Sequence, residues 1–299
     1  MSAAPNAAPA VWHELMEAAE ARLGSAIEAR WLVEEASGCG WAELLRGDQH
    51  VREIGLLRFE AMLARRLSGE PLQYVIGSWP FRGLDLMVDP RVLIPRPETE
   101  HMVEVALGEI DRLGGPAEAG EAQMVVVDLG TGSGAIALSI AGERARTVVH
   151  ATDVSAGALE VAAANLAGLG GRAATRVRLY RGSWWTALPV ELAGRVDLAV
   201  SNPPYISTPE MADLDPGVRN WEPKGALEAG PRGVEAIESI LSGAPSWLRR
   251  GGAAVLEIAP HQAEDARSIA ASRGFSEVFV VKDLTGRDRV LVARGAPGR

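Results

Sequence analysis

The tetrapeptide Asn202-Pro203-Pro204-Tyr205 carries the most specific chemistry in the chain. It directly follows an apolar run, Val196 to Ser201, that reads as a buried strand. Two prolines fix the backbone as it leaves a sheet and leave carbonyls with no competing amides from the same residues. A planar amide or amine offers two N–H donors. The Asn202 side-chain oxygen and the Pro203 carbonyl can accept one each, and the Tyr205 ring can lie against the same plane. Such a site presents a nitrogen for reaction and does not abstract a proton from carbon. Asn-Pro-Pro alone also fits a proline-stiffened surface turn. Its place at a strand end, downstream of a glycine loop, favours the site.

That loop is Gly130-Thr131-Gly132-Ser133-Gly134. A short apolar strand, Met124 to Val127, leads into it through Asp128 and Leu129, and Ala135 to Ala141 reads as the following helix. Glycine there permits positive φ and close approach of a ligand to the backbone. A second strand, Val148 to Ala151, ends at Asp153, 19 residues beyond Gly134. A carboxylate at the end of the second strand can grip ribose hydroxyls. Together they suggest an adenosine-containing cofactor, against a structural turn with a capping aspartate. Gly130, Gly132 and Ala135 satisfy the dinucleotide pattern, and a methyl-donor site uses a similar turn, so these residues leave both open. No Gly-Lys-Ser/Thr follows, which excludes a phosphate-binding lysine loop.

The elements that must position these residues alternate. Beyond the two strands above, apolar runs at Val177–Tyr180, Arg195–Ser201, Ala253–Ile258, Val278–Val281 and Val290–Ala293 read as strands. Helical patterns occupy Ala158–Leu166, with Asn165 at its polar end, Val234–Leu241 and Glu264–Arg273. The fold class is α/β, with a sheet of about seven strands and helical crossovers, the last two strands forming an antiparallel pair across Gly286. Ahead of it, Val11 to Leu67 has helical periodicity. Ser68 to Glu100 is broken by prolines and glycines, and its alternation from Phe81 to Val88, followed by Val92 to Ile94 after Asp89-Pro90-Arg91, reads as a hairpin. Thr99 to Leu107 reads as a helix with acids in its first turn, and residues 108–123 as loop. The expected domains are a helical unit at 1–82 with a frayed tail at 1–10, a hairpin linker at 83–98, and an α/β domain at 99–299.

Composition narrows the class further. With 30 basic and 39 acidic side chains the net charge is −9, which argues against non-specific nucleic-acid binding. Residues 1–82 hold eight arginines and no lysine against eleven acids, so Arg65 and Arg66 read as a solvated face and not a nucleic-acid patch. No apolar stretch reaches the roughly 18 residues of a membrane span. Cys39 is the single cysteine, which excludes an internal disulfide and a thiolate metal site and fits a reducing cytoplasm. The five histidines show no ligand spacing, so no metal is assigned, and His261 reads as a helix-start or surface residue. Nothing demands more than a monomer.

The ordered set Leu93-Ile94-Pro95-Arg96-Pro97-Glu98-Thr99-Glu100, the Asp128–Gly134 loop, Asp153 and Asn202-Pro203-Pro204-Tyr205-Ile206 resembles the release factor glutamine methyltransferases. The resemblance spans nearly the whole chain, including Glu222-Pro223 to Ala226-Leu227 and Asp283-Leu284-Thr285-Gly286-Arg287-Asp288-Arg289. It implies a class I methyltransferase Rossmann-like domain, S-adenosylmethionine as cofactor, and a helical substrate-docking domain. It implies methylation of the side-chain amide nitrogen (N5) of the glutamine in the Gly-Gly-Gln loop of bacterial class 1 peptide chain release factors, in the cytoplasm. By the same resemblance Gly130, Thr131, Gly132, Ser133 and Gly134 line the methionine and ribose side, Asp153 binds the ribose, and Trp184 lies beside the adenine. Asn202, Pro203, Pro204 and Tyr205 hold the glutamine, with Asn202 also near the cofactor. The family commonly has aspartate where Ser183 stands, and often phenylalanine where Trp221 stands. An adenine-N6 DNA or RNA methyltransferase would share the amine clamp but would need a basic channel. A non-catalytic release-factor-binding module is the remaining alternative.

Overall fold

The computed structural model describes residues 11–46, 50–114 and 123–297, and the chain divides between Gly77 and Ser78 into two compact units. The expected frayed tail at 1–10 lies outside the described residues.

The first unit is helical. Its helices span Trp12–Leu23, Ala26–Ser37, Trp41–Leu44, Glu53–Leu67 and Leu72–Ile76. Their apolar faces meet in a core around Trp12, Leu32, Val33, Phe59, Met62 and Leu63. Gly24 and Gly38 end the first two helices in the left-handed conformation that glycine adopts without a Cβ clash. Arg65 pairs with Glu70 and donates to the Tyr74 carbonyl at 2.9 Å, and Arg66 donates to Glu28 at 2.8 Å. Both arginines are thus committed within the unit.

The second unit is built on a seven-stranded sheet, whose strands are numbered in chain order. They are β1 (Met124–Leu129), β2 (Thr147–Asp153), β3 (Val177–Arg181), β4 (Val196–Ser201), β5 (Leu248–Glu257), β6 (Glu277–Lys282) and β7 (Asp288–Arg294). The spatial order is β3-β2-β1-β4-β5-β7-β6. The first five in that order are parallel, and β7 runs antiparallel between β5 and β6. Successive residues serve opposite faces. Val126, Leu198 and Val255 face a core with Met102, Leu107 and Ile136, while Val127, Ala199 and Leu256 face one with Ile237, Ile240 and Leu241. Each fully buried leucine or isoleucine contributes about 1.5–3 kcal/mol, so both layers hold the central strands in register.

Three local readings are corrected. The hairpin pairs Ser78–Phe81 with Leu84–Met87, five residues ahead of the expected start at 83, so its turn is at Arg82-Gly83 and Val92–Ile94 is not one of its strands. Pro80 reads as a breaker but sits in a two-stranded ribbon, where a missing ladder donor is tolerated. The helix expected at Thr99–Leu107 runs from Pro97 to Gly114. Gly108 does not end it, because Ile110 continues the buried face and the buried Glu109 is held by Arg112 and Arg294 at 2.8 and 2.7 Å. Residues 115–122 of the expected loop lie outside the described residues.

The third correction is Asn165, which is buried and not a polar helix end. Its Nδ2 donates to the carbonyls of Ser133 (2.9 Å) and Met87 (3.0 Å), and its Oδ1 accepts from the Met87 amide at 2.7 Å. One side chain therefore ties the hairpin to the glycine loop. Among the described residues no helix is long and apolar enough to cross a membrane. Asn165→Ala leaves the buried Ser133 carbonyl and the part-buried amide and carbonyl of Met87 without this partner, and an unsatisfied buried group costs about 1–3 kcal/mol. The expected result is a lower denaturation midpoint, measured by circular dichroism in urea; an unchanged midpoint would show that the bridge carries no stability.

Candidate active site

Strand order turns around between β1 and β4. The chain leaves β1 towards β2 on one side and leaves β4 towards β5 on the other, so a crevice opens at the carboxyl ends of the two neighbours. The glycine loop leaves β1 there and Asn202 leaves β4. A cavity of about 380 Å³ occupies this place, within the range of small-ligand sites. Gly130, Thr131, Gly132, Ser133, Asp153, Trp184, Asn202 and Pro204 all line it, as does Ser183. Gly134, Pro203 and Tyr205 do not: Gly134 caps the Ala135–Glu143 helix and Pro203 is buried.

The loop is shaped by its own backbone bonds. The amides of Gly130 and Thr131 both donate to the Thr152 carbonyl at 2.9 Å, which folds the loop across the end of β2. Gly130 has φ +80°, and a Cβ there would meet the Trp184 ring at 3.2 Å. Trp184 itself has φ +44°, an uncommon left-handed conformation for a bulky residue. Its neighbour anchors it. Trp185 is buried, donates Nε1–H to the Ile240 carbonyl at 2.8 Å and stacks on Trp247. Backbone strain of this kind persists where the surroundings over-determine it, commonly at ligand clamps.

Asp153 both braces the loop and faces the cavity. Its Oδ2 accepts the Gly132 amide and its Oδ1 the Ser155 amide, each at 2.9 Å. Burial pushes its carboxyl above the usual range, and the amides of Ser155 and Gly132 pull it back. Each carboxylate oxygen keeps further accepting capacity for ribose hydroxyls. Beneath the loop, Asp128 is fully buried and pushed up to about 7 by desolvation, against a hydrogen bond from the Thr131 hydroxyl at 2.6 Å.

On the opposite wall Glu222 is buried, accepts the Ile94 amide at 3.2 Å and pairs with Arg96. It thereby joins the Val92–Pro95 segment to the Pro223–Ala226 segment, both of which border the cavity. Asn202 donates Nδ2–H to the Thr99 hydroxyl at 3.0 Å, and Thr99 donates to Glu257 at 2.7 Å. Tyr205 is largely buried, its hydroxyl raised to about 12 by desolvation and by the nearby Glu257 charge. The Tyr205 carbonyl accepts from Gln262 Nε2 at 2.8 Å. Sequence reasoning missed Thr99, Glu222 and Glu257. The available signal was an acid ending an otherwise apolar strand, since glutamate is almost never fully buried without a partner. His261 is exposed, as its sequence context suggests, and stands 3.7 Å from Glu210. Among the described residues no group of three His, Cys, Asp or Glu side chains is arranged to hold a metal ion.

The strand order, the glycine turn and the acid at the end of β2 define a class I methyltransferase type of Rossmann-like domain. Solved structures agree at the level of fold. A methyltransferase from Pyrococcus furiosus is 19% identical with a TM-score of 0.50, covering 80% of this chain and 100% of that one. The hMettl16 catalytic domain in complex with MAT2A 3'UTR hairpin 6 is 14% identical with a TM-score of 0.53, covering 85% and 86%. A PrmC N-terminal domain model matches residues 14–77 and a methyltransferase small domain model matches 117–214. Release factor glutamine methyltransferases of Bordetella pertussis and Xylella fastidiosa (strain 9a5c) are 43% and 41% identical. They cover 88% and 95% of this chain, and the matches span 93% and 98% of those relatives. The chain belongs to the release factor glutamine methyltransferase family.

The cavity fits S-adenosylmethionine chemically, with an acceptor carboxylate, a glycine-lined backbone and an aromatic wall. Asp153→Ala removes a charged acceptor worth roughly 1.5–3 kcal/mol, so affinity for S-adenosylmethionine should fall about ten- to a hundredfold. Isothermal calorimetry reads this directly. Wild-type affinity in a folded variant would remove Asp153 from the ribose role.

Proposed function

We infer that the protein transfers a methyl group from S-adenosylmethionine to N5 of the glutamine in the Gly-Gly-Gln loop of bacterial class 1 release factors, acting in the cytoplasm. Family membership supports the reaction. The observation that carries it for this chain is the meeting of Asn202 with the glycine loop and Asp153 in one cavity. Two different ligands, one adenosine-bearing and one nitrogen-bearing, would there share a wall.

When bound, S-adenosylmethionine supplies an electrophilic methyl group on a positively charged sulfur. The residues of the chain do the rest. An amide nitrogen is a poor nucleophile, because its lone pair is shared with the carbonyl. In this reading Asn202 Oδ1 and the Pro203 carbonyl accept the two amide hydrogens and turn the nitrogen lone pair towards the cofactor side. Positioning of this kind supplies part of the rate. The same two acceptors stabilise positive charge as it develops on nitrogen, a role for fixed dipoles in a dry site. Polarised N–H bonds ease loss of one proton to water once the nitrogen carries the methyl group, so no strong base is needed at the outset. Pro204 and Tyr205 confine the amide plane.

Asn202→Ala should lower the single-turnover rate at least about a hundredfold at saturating donor and release factor, the usual scale for an aligned transition-state contact. The product is read by intact mass of the release factor and peptide mapping. A folded variant within about threefold of wild type would take Asn202 out of catalysis.

The helical unit is assigned the docking of the release factor, on the grounds that it has its own core and no chemistry. Deletion must end at Gly77, because a cut after residue 82 would remove the first hairpin strand. The shortened chain should keep cofactor binding and lose activity on full-length release factor. Undiminished methylation by the folded truncation would disprove docking.

A further inference from the structure

A carboxamide can sit in a site in two orientations that differ by exchange of its oxygen and nitrogen. For Asn202 only one of them offers an acceptor to a substrate amide. The choice is made behind it. Thr99 Oγ1 lies between Asn202 Nδ2, at 3.0 Å, and Glu257 Oε2, at 2.7 Å. Thr99 is 4% exposed and Glu257 1%, so the bond between them is shielded from water, while the bond to the half-buried Asn202 borders the cavity.

A hydroxyl has one proton, and an ionised carboxylate can only accept. The Thr99 proton therefore goes to Glu257. Its oxygen is left with lone pairs alone, and the Asn202 atom facing it must be the NH₂ group. Turned the other way, two acceptors would oppose each other in a half-buried place, which costs the hydrogen bond and part of its desolvation. We propose that Thr99 and Glu257 are positioning residues which fix the Asn202 amide with its oxygen presented to the substrate nitrogen. The inference rests on the reading of Asn202 as the amide clamp and adds how that clamp is oriented.

The surroundings of Glu257 suit this role. The buried Arg289 favours its charge, the Tyr205 hydroxyl donates to it, and Glu98 opposes it. Burial nevertheless pushes its carboxyl up to about 7. Once protonated, Glu257 can donate to Thr99, and the threonine hydroxyl is free to turn towards Asn202. The lock is tightest when the carboxylate is ionised.

The test uses the full-length chain and a release factor in single-turnover methylation. Thr99→Val keeps shape and loses the hydroxyl. Its rate at saturation should fall about tenfold, while cofactor affinity and the half-saturating release factor concentration stay within about threefold. Thr99→Ser should restore the rate to within about threefold of wild type. Glu257→Gln should also slow the reaction. Because the two act in series, Thr99→Val with Glu257→Gln should be no slower than the slower single variant. Losses that multiply in the double variant would overturn the proposal and assign both residues to packing. A Thr99→Val rate equal to wild type would overturn it as well. Should Thr99→Val fail to fold, Glu257→Gln at the wild-type rate gives the same refutation. Absence of methylation by the wild-type chain would instead refute the functional reading.

Discussion

The carboxyl ends of β1 and β4 lie side by side because the two strands pair in parallel, Val126 opposite Leu198 and Asp128 opposite Val200. The Ser201 hydroxyl closes the pairing by donating to the Leu129 carbonyl at 2.5 Å. Parallel strands place both exits on the same edge of the sheet, and the reversal of strand order leaves that edge open between them. The glycine loop and the Asn-Pro-Pro-Tyr segment meet for this reason alone. Neither could approach the other if β4 ran antiparallel or lay one strand further out. Burial of both faces of the central strands makes a register slip costly, so the edge has one geometry.

Around that edge the protein places buried and half-buried carboxylates. Asp128, Asp153, Glu222 and Glu257 are all pushed towards the neutral form by desolvation. Three kinds of compensation hold them: a threonine hydroxyl for Asp128 and Glu257, backbone amides for Asp153, and Arg96 with the Ile94 amide for Glu222. These bonds differ in kind from surface pairs such as Lys224 with Glu228, which solvent screens. A buried acid with one satisfied oxygen is rigid, because any motion leaves it unpaired. The acids thus act as fixed posts for the loops that carry the ligands.

Much of the site was legible because its signals are local. A strand, a glycine turn and a helix occur within twenty residues, and Asp153 follows at the spacing that a βαβ unit requires. Asn202 declares itself by the prolines beside it. The Thr99–Glu257 contact was not legible, since its partners are 158 positions apart and neither breaks a local pattern strongly. Asn165 failed for a similar reason. On a helix its polarity implies exposure, and only the hairpin packed over it, 78 positions away, makes burial favourable. Gly108 misled because a propensity cost of roughly 1 kcal/mol is small beside the packing of Ile110 and the grip on Glu109. The two-residue pairing of Ile206–Ser207 with Glu228–Gly230 is too short to carry a period at all.

Rigidity extends past the reacting groups to the chain that follows them. Gln262 is buried and spends its whole carboxamide on backbone: Nε2 donates to the carbonyls of Tyr205 and Gly233, and Oε1 accepts the Ala259 amide. Gly233 has no room for a side chain, since a Cβ would stand 2.9 Å from the Tyr205 carbonyl. The Asn-Pro-Pro-Tyr segment is therefore pinned at three levels: at its start by the pairing of β4, at Asn202 by Thr99, and at Tyr205 by Gln262. For the proposed transfer to a weak amide nucleophile, such pinning has a physical rationale. A misplacement of about 1 Å can cost a hundredfold in a near-attack geometry, more than a moderate change in basicity would recover. A site that works by placing two acceptors correctly has to fix the backbone that carries them before any substrate arrives.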